Sequence, residues 1–230
     1  MDFSGKQIVV TGGSGALGTA VVGMLIEGGG ACIVPYVHEA EAQRFPHRSK
    51  ATLIAVGDLS DEGEVAKVFA GAAPWASIHI AGGFAPGAVA ETDKAALMAQ
   101  LNGNLVSCFL CCRAAVKAML AAGQGGRIVN VAARPALEPR SGAGMSAYTA
   151  AKTGVAALTM SLAEEVAKDG ILVNAVAPSI MDTAANRAAM PKANFALWPK
   201  VEEVAATIVF LASSDNRVTR GAVVPVYGKS

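Results

Sequence analysis

Seven short apolar runs, separated by longer helical patterns, set the tightest limit on how this chain can fold. The runs are QIVVTG, ACIVPYV, ATLIAVG, SIHIAGG, GRIVNVA, ILVNAVA and GAVVPVYG. They are apolar at nearly every position, which is how strands covered on both faces read. Helical patterns at 16–28, 62–72, 92–122, 146–168 and 202–213 fill the gaps. Steady alternation of strand and helix predicts an α/β chain: a doubly wound parallel sheet of about seven strands, with right-handed crossovers and helices on both faces. At 230 residues one Rossmann domain, 1–230, accounts for the whole chain.

The remaining composition excludes several classes. Hydrophobic residues make up 53% and charged residues 16%, so the chain has a core to bury and is not disordered. The net charge is +1 with no basic block, and nucleic-acid binding through a charged face is not expected. No apolar run reaches the length of a membrane span. The start, MDFSGKQIVVTGG, reads as a first strand and not as a secretory leader, so the expected location is cytoplasmic with no membrane partner.

TGGSGALG, 11–18, follows the first strand and opens the first helix. Gly13, Gly15 and Gly18 give the spacing GxGxxG in the context that a dinucleotide-binding turn requires. Such a turn brings backbone N–H groups at a helix start against a pyrophosphate. The turn residues Gly12, Gly13, Gly15, Ala16, Leu17 and Gly18 are therefore candidate cofactor contacts. The acidic residue expected after the second strand is displaced: the run ends Val37-His38-Glu39. Glu39 serves NAD if the turn is tight, whereas His38 tolerates a 2′-phosphate. NAD and NADP both stay open, with a lean to NADP. Asp58, beside Leu59 after the third strand, either holds an adenine amino group or caps the helix starting near Ser60-Asp61.

Four cysteines are present, Cys32, Cys108, Cys111 and Cys112. The last three lie on one helix pattern with no second ligand pair, and His38, His47 and His79 are distant in sequence. They read as buried small apolar residues, and no metal site is expected. Tyr148 and Lys152 stand one helical turn apart on one face. A phenol with pKa ≈ 10 is a poor acid–base group at neutral pH, and a neighbouring ammonium favours its phenolate. The stretch 179–200, with Pro191, Pro199, Met190, Phe195 and Trp198, breaks the rhythm after a strand's carboxyl end. It reads as a substrate loop or lid, or as a short surface helix packed by Phe195 and Trp198.

TGGSGALG, Asn104 in LNGNLVSCF, YTAAK at 148–152 and NAVAPSIMDT together resemble the short-chain dehydrogenase/reductase family, over essentially the whole chain. The resemblance implies a nicotinamide-dependent oxidoreductase. Tyr148 would be its general acid or base, Lys152 the helper and Asn104 the holder of a water in the proton relay. Ala81, Gly82, Pro178, Ile180 and Thr183 would lie along the cofactor, with Pro178 and Thr183 flanking the nicotinamide. It also implies a homodimer or homotetramer joined through the helices at 92–122 and 146–168. A non-catalytic NAD(P)H sensor is the alternative outside enzymology, and the intact Tyr148, Lys152 and Asn104 argue against it.

Departures from the family pattern carry information. Ala16 stands where a Gly is usual, and His79-Ile80-Ala81-Gly82 stands where NNAG is usual. Ala133, in NVAARP, holds the place of a catalytic serine. GGSGALG, AGGFAPG, SGAGMSAY and DTAANRAAMPKANFALW, with that small residue, are similar to the quinonoid dihydropteridine reductase branch. That similarity implies hydride transfer to a conjugated acceptor, a quinonoid dihydropterin being the leading candidate, with carbonyl reduction as the alternative. Ala133, Arg134, Met190, Phe195 and Trp198 are the substrate candidates, Arg134 alternatively pairing with Glu138.

Overall fold

In the computed structural model, which describes residues 1–230, the seven apolar runs form one parallel sheet in the order β3-β2-β1-β4-β5-β6-β7. The strands are β1 Gln7–Thr11, β2 Ala31–Tyr36, β3 Thr52–Ala55, β4 Ala76–His79, β5 Gly126–Val131, β6 Ile171–Pro178 and β7 Val223–Val226. Between β1 and β4 the order reverses direction, and the crevice at the strands' carboxyl ends there is where a doubly wound sheet takes its ligand.

The strands are apolar throughout because successive side chains enter different cores. Ile8 and Val10 of β1 join Val129 and Val131 of β5 in a core under α1 Ala16–Glu27 and the last helix, Val201–Ala212. Val9, between them, faces the other side and packs with Val65, Val68 and Cys111. Ile128 of β5 and Val173 of β6 pack on that same side with Cys112, Val155 and Ala163.

The remaining helices are α2 Glu39–Arg44, α3 Glu62–Phe69, α4 Lys94–Leu101, α5 Ser107–Ala122, α6 Arg134–Leu137, α7 Ser146–Glu165 and α8 Ala184–Ala189; the last helix is α9. The predicted helix 92–122 is not uniform. Asn102–Val106 forms a π-turn between α4 and α5, a distortion that is common at functional sites. The whole stretch Lys94–Ala122 is nevertheless one 29-residue helical run, long and apolar enough to cross a membrane by length and composition alone. Here its buried face covers the sheet, while Leu97, Met98, Phe109 and Leu120 are exposed. On α7, Ala151 belongs to the chain's own core and a side chain at Gly154 would meet Leu105, so these small residues serve internal packing.

The segment 179–200 is partly regular and is packed by Phe195 and Trp198. It holds the short helix α8 and a 3-10 turn, Phe195–Leu197. Trp198 is buried and its ring lies 5.0 Å from that of Phe195. The segment is thus anchored at its carboxyl end, and α8 is its exposed part.

Candidate active site

The glycine turn divides its labour in a way that spacing alone does not reveal. Gly12 has φ +68, and a Cβ there would sit 2.7 Å from the Ala81 nitrogen. Gly13 is pressed against Val34, and a Cβ at Gly18 would collide with the Gly12 carbonyl oxygen. These three glycines are required by the protein's own packing. Gly15 is different: its φ is −75 and a Cβ would meet only Gly12 O, at 3.4 Å. It is exposed beside Ala16, whereas Leu17 is buried. No side chain caps α1, while α3 is capped by Asp61 through Gly63 N and Glu64 N. The open α1 terminus, with its unshared N–H groups and an approachable backbone, fits a dinucleotide pyrophosphate.

Beyond the turn, β2 ends at Tyr36, so Val37 is exposed and His38 is the N-cap residue of α2. Glu39 accepts a hydrogen bond from the Tyr36 hydroxyl at 3.1 Å. Glu41, which sequence reasoning passed over, accepts one from Ser14 Oγ at 3.4 Å. Two carboxylates therefore stand beside the carboxyl end of β2 and the glycine turn. Asp58 does not cap α3; its carboxylate accepts from Ser60 N at 2.8 Å, and Asp61 is the cap. Leu59 is buried in the core.

Tyr148 and Lys152 lie on α7, facing the carboxyl ends of β4 and β5. Lys152 is buried and donates from Nζ to the Val131 carbonyl at 2.8 Å, with Nζ 5.9 Å from the centre of the Tyr148 ring. Burial pushes the Lys152 ammonium down from 10.5 to about 8. Burial also pushes the Tyr148 phenol up, to about 12. The second direction is opposite to the expected one, because loss of hydration outweighs the ammonium at this separation. Phe84 stands edge-on to Tyr148 with ring centres 5.1 Å apart; its place in a loop far from Tyr148 in sequence gave no signal of this contact.

Asn104 lies in the π-turn and fastens the loop after β4. Its Nδ2 donates to Gly83 O at 2.9 Å and Gln100 O at 3.0 Å, and its Oδ1 accepts from Gly83 N at 3.3 Å. A Cβ at Gly82 would crowd Asn104 Oδ1 and approach Lys152 Nζ. Asn104, Gly82 and Lys152 are thus neighbours, and Asn104 acts first as a clasp. Ala81 N is bound to Thr11 Oγ1 at 3.3 Å, joining this loop to β1.

The chain belongs to the short-chain dehydrogenase family. The profile described as short chain dehydrogenase matches residues 6–194. The cis-4-hydroxycyclohexanecarboxylate dehydrogenase of Sinomonas cyclohexanicum is 35% identical, over 98% of this chain and 96% of its own. The galactitol 2-dehydrogenase of Rhizobium johnstonii is 31% identical, over 97% of this chain and 94% of its own. The crystal structure of gox2181 superposes with a TM-score of 0.91 at 26% identity, covering 99% of this chain and 96% of that one. As a short-chain dehydrogenase the protein is an NAD(P)-dependent oxidoreductase.

The other candidates scatter around this centre. Ala133 is buried at the end of β5 and precedes α6. Arg134 pairs with Glu138 at 2.8 Å, as its spacing suggested, and its guanidinium also lies 5.0 Å from the Tyr227 ring centre. Pro178 ends β6 in the core and Ile180 is exposed just beyond it. Thr183 caps α8 through Asn186 N at 3.1 Å. Met190 is half-buried after α8. The cysteine reading needs one correction: all four are buried and free, but the fold brings His79 against Cys108 and Cys112. Sequence separation hid this, because α5 comes to lie against β4 only in the folded chain.

Proposed function

We propose that this short-chain dehydrogenase interconverts an alcohol and a carbonyl with NAD(H), and that its preferred carbonyls are electron-poor or conjugated. The observation that carries the reading is the buried Lys152 beside Tyr148; the resemblance that sets Ala133 in the usual serine position supports the preference for activated carbonyls. The glycine turn would hold the dinucleotide, which would supply or accept the hydride. Tyr148 gives its phenolic proton to the substrate oxygen in reduction and takes it back in oxidation. Lys152, held by Val131 O, keeps a positive charge near the phenol, which works against the upward push of burial without cancelling it. Asn104 holds Gly83, and with it the loop that carries Phe84 onto Tyr148.

A missing hydroxyl donor costs a transition state of this kind ~3 kcal/mol. A conjugated acceptor needs less polarisation, so it tolerates that loss best. The relatives described above are named for hydroxylated substrates, which supports alcohol and carbonyl chemistry. A quinonoid dihydropterin satisfies the same electronic condition and belongs among the acceptors to be tried. Glu39 and Glu41 support NAD over NADP, reversing the lean drawn from His38, since a 2′-phosphate would face two carboxylates. The exposed Leu97, Met98, Phe109, Leu120 and Met160 on α4, α5 and α7 support association of identical chains through those helices.

The test follows NADH and NADPH oxidation with a quinone, a 1,2-diketone, a plain cyclic ketone and a quinonoid dihydropterin. NADH should be preferred, and the activated carbonyls should turn over well ahead of the plain ketone. Equal rates on plain and activated ketones would overturn the argument from Ala133. Turnover of the pterin alone would move the chemistry to ring reduction.

A further inference from the structure

Behind Lys152, the core holds a cluster that the hydride chemistry does not use. Ligand atoms of His79, Cys108 and Cys112 all lie within 4.8 Å of one another, and all three residues are buried. Cys112 Sγ is 3.4 Å from His79 Nδ1 and 3.4 Å from Asn130 Oδ1. His79 Nδ1 and Asn130 Oδ1 are 2.8 Å apart. The Asn130 orientation is fixed independently. Its Nδ2 donates to Thr159 Oγ1, whose own hydroxyl donates to Val155 O, so the amide oxygen must face the cluster. His79 Nε2 is held by Ser77 Oγ at 2.8 Å.

We propose that His79, Cys108, Cys112 and Asn130 form a site for a zinc-type divalent cation, bound by Nδ1, two thiolates and the amide oxygen. Two sulfurs and an imidazole are the donor set that such an ion prefers in a closed tetrahedral site. With Zn–N of ~2.0 Å and Zn–S of ~2.3 Å, tetrahedral edges run at ~3.3–3.8 Å. The Asn130 oxygen must open from His79 Nδ1 by ~0.5 Å and Cys112 Sγ already sits near its edge, while Cys108 Sγ, within 4.8 Å of the other ligand atoms, must draw inward onto the ion. Nδ1 gives up the proton it shares with Asn130 Oδ1 and Nε2 takes one up, so that Nε2–H donates to Ser77 Oγ, the outer partner that orients a ligating histidine. Binding releases the two thiol protons to solvent, and two thiolates with a dication leave no net charge in the core. Because the cluster is buried, loading accompanies folding. The bound ion would tie β4 and β5 to α5 beneath the active-site lysine.

The full chain is produced in zinc-depleted medium with cobalt(II) chloride as the probe, and its metal content and absorption are measured after gel filtration. The expected result is about one cobalt per chain with thiolate-to-cobalt charge transfer in the near ultraviolet, as for tetrahedral thiolate sites. Cys112→Ala and Cys108→Ala should each lose the band and most of the metal. Cys111→Ala, beside Cys112 but facing the other core, should keep both. NADH binding confirms that each variant is folded. If Cys112→Ala does not fold, the wild-type spectrum and Cys108→Ala decide. Wild-type protein without the band, or a Cys111→Ala variant that loses as much metal as Cys112→Ala, would overturn the proposal.

Discussion

Replacing Lys152 by methionine isolates the energetic cost of keeping an ammonium beneath the active site. Desolvation brings Lys152 from 10.5 down to about 8 in the folded protein. Between those values the unfolded chain binds one more proton than the folded chain, so stability rises with pH across that window. Below about 8 both states are protonated and the full cost is present, ~3 kcal/mol. Going from about pH 7 to about pH 9.5, the wild type should gain ~2 kcal/mol relative to Lys152→Met. The orphaned Val131 carbonyl penalises the variant equally at every pH, so it shifts the difference without changing its slope. The raised Tyr148 phenol acts in the opposite sense: stability falls as pH rises above the unfolded value near 10. Measurements below that pH avoid it. Urea unfolding of both proteins at one fixed concentration supplies the comparison. Parallel stability profiles over this range would refute the claim that burial lowers the Lys152 ammonium to about 8.

Four further substitutions separate the roles assigned above. Gly18→Ala should destabilise the fold by ~1–3 kcal/mol, since the new methyl strikes Gly12 backbone. Gly15→Ala should stay within ~0.5 kcal/mol of wild type in urea unfolding yet weaken NADH binding in a fluorescence titration. Ala133→Ser should raise kcat/KM for a plain ketone by ~10²-fold while changing activated carbonyls much less, the signature of a restored oxyanion donor. Glu41→Arg should move the NADPH to NADH ratio of kcat/KM upward by roughly tenfold, or ~1.4 kcal/mol; no movement would remove Glu41 from cofactor choice.

The sheet was legible because each strand must be apolar on both faces, and QIVVTG or GRIVNVA has no other economical burial. The glycine turn and the Tyr148–Lys152 pair were legible because each is local, fixed by a turn or by one helical repeat. Boundaries were less so: β2 stops at Tyr36, and the short charged helix α2 has too few residues to show a period. The π-turn at Asn102–Val106 is invisible in a pattern that simply reads as a long helix. What sequence could not give were contacts made across the fold. Phe84 on Tyr148, Glu41 on Ser14 and His79 among the cysteines join residues from separate elements. The direction of the Tyr148 shift failed for a related reason. Helical spacing places a lysine nearby, but it does not reveal how much water the phenol loses.

Proton transfer by Tyr148 is the centre of the functional account, and Tyr148→Phe tests it most directly. The variant removes only the hydroxyl and keeps the ring that packs on Phe84. Steady-state NADH oxidation with an activated carbonyl should fall by at least ~10²-fold, the usual contribution of a positioned acid–base group, while the NADH dissociation constant stays within about twofold, under ~0.5 kcal/mol. Turnover near the wild-type rate with unchanged NADH binding would contradict the account.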